Sequence, residues 1–146
     1  MKSILLATAA ALFATIATAD GLVTYDTTES FDDVVFGLEN AIVGQGLVID
    51  SVNHVGEMLE RTKGDVGSDV KLFEHADVYS FCSATLSRKV MEADRTNFQF
   101  CPYGVYVFQL PGEETVKIGY REYPVGPMQE VQALLDGIAR EAIGLD

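Results

Sequence analysis

The chain has 146 residues, 22 of them acidic against 10 basic, for a formal net charge of −12. That length holds one core and not two. The acid excess repels phosphate polyanions and anionic lipid heads, so nucleic acid and membrane surfaces are poor partners for it.

The N-terminus reads MKSILLATAAALFATIATAD. One basic residue, Lys2, precedes an uncharged apolar run from Ile4 to about Ile16, and Ala17-Thr18-Ala19 then forms an A-x-A site. This is the pattern of a secretory signal peptide, residues 1–19, cut after Ala19. The run is too short and too rich in Ala and Thr for a membrane anchor. We therefore expect a periplasmic or secreted chain, one domain over residues 20–146, with no membrane insertion after cleavage. Loss of Lys2 alone would deepen its charge to −13.

Gly21–Asp26 is the first expected strand. Ser30 stands at a helix N-cap and Asp33 three residues on, an S-x-x-D start. Phe31, Val34, Val35, Leu38 and Ile42 follow at helical spacing, and Gly44 and Gly46 close the helix. A second strand starts at Leu47 and runs toward Val55. A short helix near Met58–Thr62 and a Gly/Asp/Ser-rich loop come next. Ala76–Cys82 reads as a buried strand, and Thr85 as the cap of a helix reaching about Ala93.

The stretch FQFCPYGVYVF, residues 98–108, then opens a hairpin. Its strands are Val105–Leu110 and Thr115–Tyr123, and its loop is Pro111–Glu114. Tyr106, Phe108 and Leu110 share one face of the first strand; Val116, Ile118 and Tyr120 share one face of the second. Pro127 starts a last helix with Met128, Val131, Leu135, Ile138 and Ala142 in one stripe. Two long amphipathic helices with four or five strands predict a two-layer α+β domain, an antiparallel sheet with the helices on one face.

Three segments, IDSVNHVGEMLER (49–61), VYSFCSATLSRKVMEAD (78–94) and FQFCPYGVYVFQL (98–110), in that order and spacing resemble the DUF302 family of small domains. The resemblance implies a β-α-β(4)-α fold and no established reaction. It places His54 at the histidine near the end of the second strand. Cys82 falls at the opening of a turn and Cys101 at the entry to a core strand. This chain departs from the pattern with Ser83-Ala84 in place of Asn-Pro, and with extra residues between Asp50 and His54.

Chemistry-bearing residues are few. An exported chain with two cysteines most simply closes one disulfide, Cys82–Cys101. Two other states stay open: a thiolate metal or redox site, and two unpaired thiols. A metal site would draw on Cys82, Cys101 and His54, with copper, zinc or haem as alternative cofactors to none at all. His75 reads as a turn histidine.

Tyr103, Tyr106, Tyr120 and Tyr123 cluster around the hairpin, where cross-strand packing is their default role. Should some line a concavity, their rings suit an apolar or flat ligand. The candidate ligand-binding set is His54, Tyr103 and Tyr120. Arg121, flanked by acids, reads as a surface ion pair, with an anion clamp as the alternative. No G-x-S-x-G, H-E-x-x-H, P-loop or G-x-G-x-x-G pattern occurs, and no catalytic residue is assigned. The expected role is a non-catalytic binding or accessory protein for a small ligand or protein partner. A homodimer through a sheet edge or apolar helix face is compatible with this layout.

Overall fold

Ser30 caps the first helix as its spacing predicts. Its Oγ accepts a hydrogen bond from the Asp33 backbone N–H at 3.2 Å and donates to the Asp33 carboxylate at 2.6 Å. Helix α1 (Phe31–Gly44) runs from there to a left-handed Gly46, φ +73°. The Gly46 N–H reaches the Val43 carbonyl and the Leu47 N–H the Ile42 carbonyl, so the orphan carbonyls at this helix end are satisfied. The structure, a computed structural model, describes residues 21–145, and the predicted signal peptide lies outside them.

Five strands form one sheet: β1 (Leu22–Thr27), β2 (Val48–His54), β3 (His75–Cys82), β4 (Tyr103–Gln109) and β5 (Val116–Arg121). Their spatial order is β1-β5-β4-β3-β2, every neighbouring pair antiparallel. Helices α2 (Val55–Thr62) and α3 (Ala84–Ala93) interrupt the strand series, a 3-10 turn (Arg95–Phe100) follows α3, and α4 (Met128–Ala142) closes the chain. This is an α+β fold, an open antiparallel sheet with α1 and α4 packed on one face.

The core lies between that face and the two helices. Val34, Leu38 and Ile42 of α1 and Val131, Leu135 and Ile138 of α4 are fully buried there. They meet Phe81, Val105, Val107, Val116 and Ile118 from the sheet. The stripe predicted for α4 is buried as a whole, which is what an apolar face at 3.6-residue spacing achieves against a sheet.

Three local expectations are corrected. Helix α3 is capped by Ser83, whose Oγ accepts from Leu86 N–H at 3.3 Å, and Thr85 sits inside the first turn. β3 ends at Cys82 and Ser83 is still extended, so the first hydroxyl after the strand takes the cap. Helix α2 starts at Val55, directly off β2, and not at Met58. The hairpin strands end at Gln109 and resume at Val116, so the connection spans residues 110–115.

Candidate functional site: an apolar groove on the open sheet face

The cysteines are paired. Cys82 ends β3 and Cys101 precedes β4, and because Phe81 faces Tyr103 across the ladder, the two Cα atoms lie 6.5 Å apart. The Cys82–Cys101 disulfide encloses α3 and the 3-10 turn, over a sequence separation of 19. His54 is elsewhere. On the β2–β3 ladder Val48 faces Cys82 while His54 faces Asp77, so the histidine is the length of seven-residue β2 from the disulfide. At strand rise that is about 20 Å. Cys82, Cys101 and His54 are therefore not brought together as ligands for copper, zinc or haem. Among the described residues no three His, Cys, Asp or Glu side chains are placed to hold a metal ion.

His54 instead puts Nδ1 2.9 Å from an Asp77 carboxylate oxygen, its side chain 55% exposed and that of Asp77 11%. The hydrogen bond it donates to the Asp77 carboxylate, and then the charge of that carboxylate, raise the histidine pKa above the ordinary value; burial opposes this and Glu57 adds slightly to it.

Tyr103 and Tyr120 lie on the covered face, and of the two only Tyr120 borders a hollow. Tyr103 is 1% exposed, and its hydroxyl meets Ser87 Oγ at 2.8 Å. Tyr120 is 3% exposed and donates to Asp136 Oδ1 at 2.6 Å, beside Tyr25, which donates to the same oxygen. Burial, followed by the Asp136 carboxylate, pushes the Tyr120 phenol well up. Burial would raise Asp136 too, but the hydrogen bonds from Tyr120 and Tyr25 and the Arg140 charge outweigh it and hold the carboxyl below its usual range. A hollow of about 280 Å³ beside this cluster is walled by Gln129 and Gln132. Both serve the chain itself: Gln132 accepts from Tyr123 N–H at 2.7 Å and Gln129 donates to the Tyr123 carbonyl at 2.8 Å.

The site lies on the other face. Register puts Tyr106 opposite Gly119 and Val78, and Phe108 opposite Lys117 and Ala76, so these side chains face away from α1 and α4. β3 and β4 are central strands with apolar side chains on both faces, the pattern of strands that expect cover on both. Cover here is partial. Helix α2 leans on β3, with Gly56 so near that a Cβ would lie 2.8 Å from the Ala76 nitrogen. Phe73, from the irregular segment after α2, sets its ring edge-to-face on Phe108, centroids 6.2 Å apart.

Between these elements runs a groove of about 450 Å³, lined by Leu22, Val55, Phe73, Ala76, Val78, Tyr106 and Phe108, with Asp77 and Val107 in its floor. The side chains of Asp77 and Val107 alternate to the covered face, so the floor there is strand backbone. A hollow of similar size beside α3 is lined by Arg88, Lys89 and Glu92, whose charges are spent on ion pairs: Arg88 with Glu92 at 2.9 Å, Lys89 with Glu130 at 2.7 Å.

Of the residues singled out from sequence, then, only Tyr106 of the hairpin tyrosines lines the groove. Arg121 is corrected as well: none of the ion pairs among the described residues includes it. The missed residues were Val55, Phe73, Ala76, Val78 and Phe108. Only Phe108 carried a signal from β4, whose run YGVYVF is apolar at consecutive positions and so has apolar side chains on both faces.

Comparison with known proteins agrees with this architecture. The model of the domain of unknown function DUF302 matches residues 23–139. A solved structure, described as the crystal structure of uncharacterized conserved protein DUF302 from Bacillus stearothermophilus, superposes with a TM-score of 0.60. It is 20% identical, and the match covers 86% of this chain and 95% of that one; at such identity it speaks for the fold alone. No curated protein matches. With the family model spanning most of its length, and the β-α-β(4)-α order present alongside α2 and α3, the chain belongs to the DUF302 family.

Proposed function

We propose that this chain is an exported, non-catalytic binding domain that takes a small apolar ligand on the open face of its sheet. The observation that carries the reading is the groove. Its volume of about 450 Å³ falls in the range of roughly 300–1,000 Å³ usual for small-molecule sites. Its walls are aliphatic and aromatic side chains, which gain by excluding water from an apolar guest. The A-x-A leader and the Cys82–Cys101 disulfide support an oxidising compartment outside the cytoplasm.

Two measurements test it. Titration of the purified chain with the neutral apolar dye Nile red should give saturable, blue-shifted emission. Phe73→Ala and Phe108→Ala should each weaken that binding about tenfold, a loss of roughly 1.4 kcal/mol. Dye binding that ignores both changes would overturn the site. Sequencing the N-terminus of the protein from the expressing cell should return Asp20, and a chain found in the cytoplasm beginning at Met1 would overturn export.

A further inference from the structure

The groove has two chemically different ends. At one end Phe73 and Phe108 close against Ala76, with no charge among them. At the other end stand Leu22 and Tyr106. The Tyr106 ring folds back along its own strand over Gly104, its Cε1, Cζ and hydroxyl oxygen 3.4–3.5 Å from where a Cβ there would be. Gly104 is the β4 position nearest Arg121, since Val105 faces Tyr120 and Tyr106 faces Gly119. Arg121 also faces Leu22 across the β1–β5 ladder. Leu22, Tyr106 and Arg121 thus share one end of one face of the sheet.

β5 offers that face two cations, and among the described residues only one is free of an ion pair. Lys117 Nζ lies 2.9 Å from Asp26 and is committed to it. Arg121 is exposed and enters no ion pair among the described residues, in a chain whose acids outnumber its bases 22 to 10. The Tyr123 phenol reports the same neighbourhood: burial pushes it up to about 12, with Tyr106 adding to the rise and Arg121 opposing it.

Taking the groove as the binding site proposed above, we infer that its ligand is a single-chain carboxylate amphiphile of the fatty-acid type. The hydrocarbon lies along Val78, Phe108 and Phe73, and the carboxylate lies on the Arg121 guanidinium. A guanidinium fork matches a carboxylate with two parallel N–H donors, which a lone ammonium does not. The net charge of −12 works against an anionic ligand, which puts the whole demand on Arg121. The overall field disfavours an anion, so only a local, well-oriented cation can hold one. A neutral lipid and a cationic amphiphile are the competing occupants, and they respond differently to loss of Arg121.

The test is displacement of Nile red from the full mature chain by dodecanoate, dodecan-1-ol and dodecyltrimethylammonium at about pH 8, where the carboxylate is ionised. In the unmodified chain dodecanoate should displace the dye about tenfold more tightly than the alcohol, the scale of one charge-assisted pair. Arg121→Gln should remove that preference, or invert it, while leaving the alcohol affinity unchanged, which also shows the variant is folded. Arg121→Lys should restore part of the preference. Equal displacement by acid and alcohol, a preference that survives Arg121→Gln, or tightest binding of the cation would each overturn this inference and leave an apolar groove standing. If none of the three displaces the dye, the groove reading falls and this inference with it.

Discussion

The two faces of the sheet are built from the same five strands, yet they settle their chemistry in opposite ways. On the covered face the hydroxyls of the strand tyrosines have partners: Tyr25 and Tyr120 on Asp136, Tyr79 on Glu39, Tyr103 on Ser87. Each of these polar groups would cost free energy if buried alone, and each instead ties a strand to a helix. On the open face apolar side chains meet solvent, and Arg121 stands without an acid among the described residues. A protein this small needs one well-packed face to stay folded, which leaves the other free to recognise something. Change on the covered face should therefore cost stability and spare binding, and change on the open face should do the reverse.

The largest expected effect comes from the covered face. Leu135 is fully buried between α4 and the sheet. Leu135→Ala should cost about 3 kcal/mol in urea unfolding, within the usual 2–5 kcal/mol, while Nile red affinity in the folded fraction stays unchanged. Phe73→Ala is the mirror experiment, costing under about 1 kcal/mol for a partly covered side chain and taking most of the dye binding with it. A similar stability cost for both changes would erase the distinction between the faces.

The disulfide comes next. It closes a separation of 19 residues, and chain entropy gives such a loop about 3 kcal/mol. The Cys82→Ser, Cys101→Ser double variant should lose roughly that much by chemical denaturation. Because α3 and the 3-10 turn lie away from the groove, dye binding should persist below the new midpoint.

Two carboxylate links give smaller, pH-dependent effects of opposite sign. Asp136 is held below its ordinary pKa in the folded state, so it contributes stability above its unfolded value, near 3.9. That stability is lost as the pH falls through the folded value. Asp136→Asn should flatten the acid limb of the stability curve and cost on the order of 1 kcal/mol at neutral pH for the weakened tyrosine hydrogen bonds. His54 is the reverse case. Its folded pKa is raised, so its contribution is complete below its unfolded value, near 6.5, and is lost as the pH rises through the folded value. With the histidine more than half exposed, the pair is screened, and His54→Gln should remove less than about 1 kcal/mol. Thermal unfolding monitored from pH 3 to pH 9 checks both.

The covered face was legible in the sequence because periodicity reports one buried side. The Ser30 cap, the Gly46 stop and the stripe Met128–Ala142 all rest on local spacing, and the structure keeps them. The Cys82–Cys101 pairing was one of three states the sequence left open, and the adjacency of β3 and β4 decides it. The open face was hard to read for a specific reason. In a strand apolar at consecutive positions, alternation cannot say which side the helices will take. Tyr103 and Tyr120 were thus chosen over Tyr106, though register puts them on opposite faces. The proposed Cys82, Cys101 and His54 ligand set failed for a related cause: closeness along the chain to strands of one ladder says nothing about which end of the ladder each residue occupies. Phe73 came from an irregular segment with no period at all, and nothing local marked it as a wall of the groove.

Backbone amide chemical shifts on adding dodecanoate to the isotope-labelled mature chain test the account most directly. Binding at the open face predicts shifts concentrated at Val55, Phe73, Val78, Tyr106 and Phe108 and at Arg121, with α1 and α4 still. Shifts centred on α1, α4 or the α3 loop, or none at saturating ligand, would contradict it.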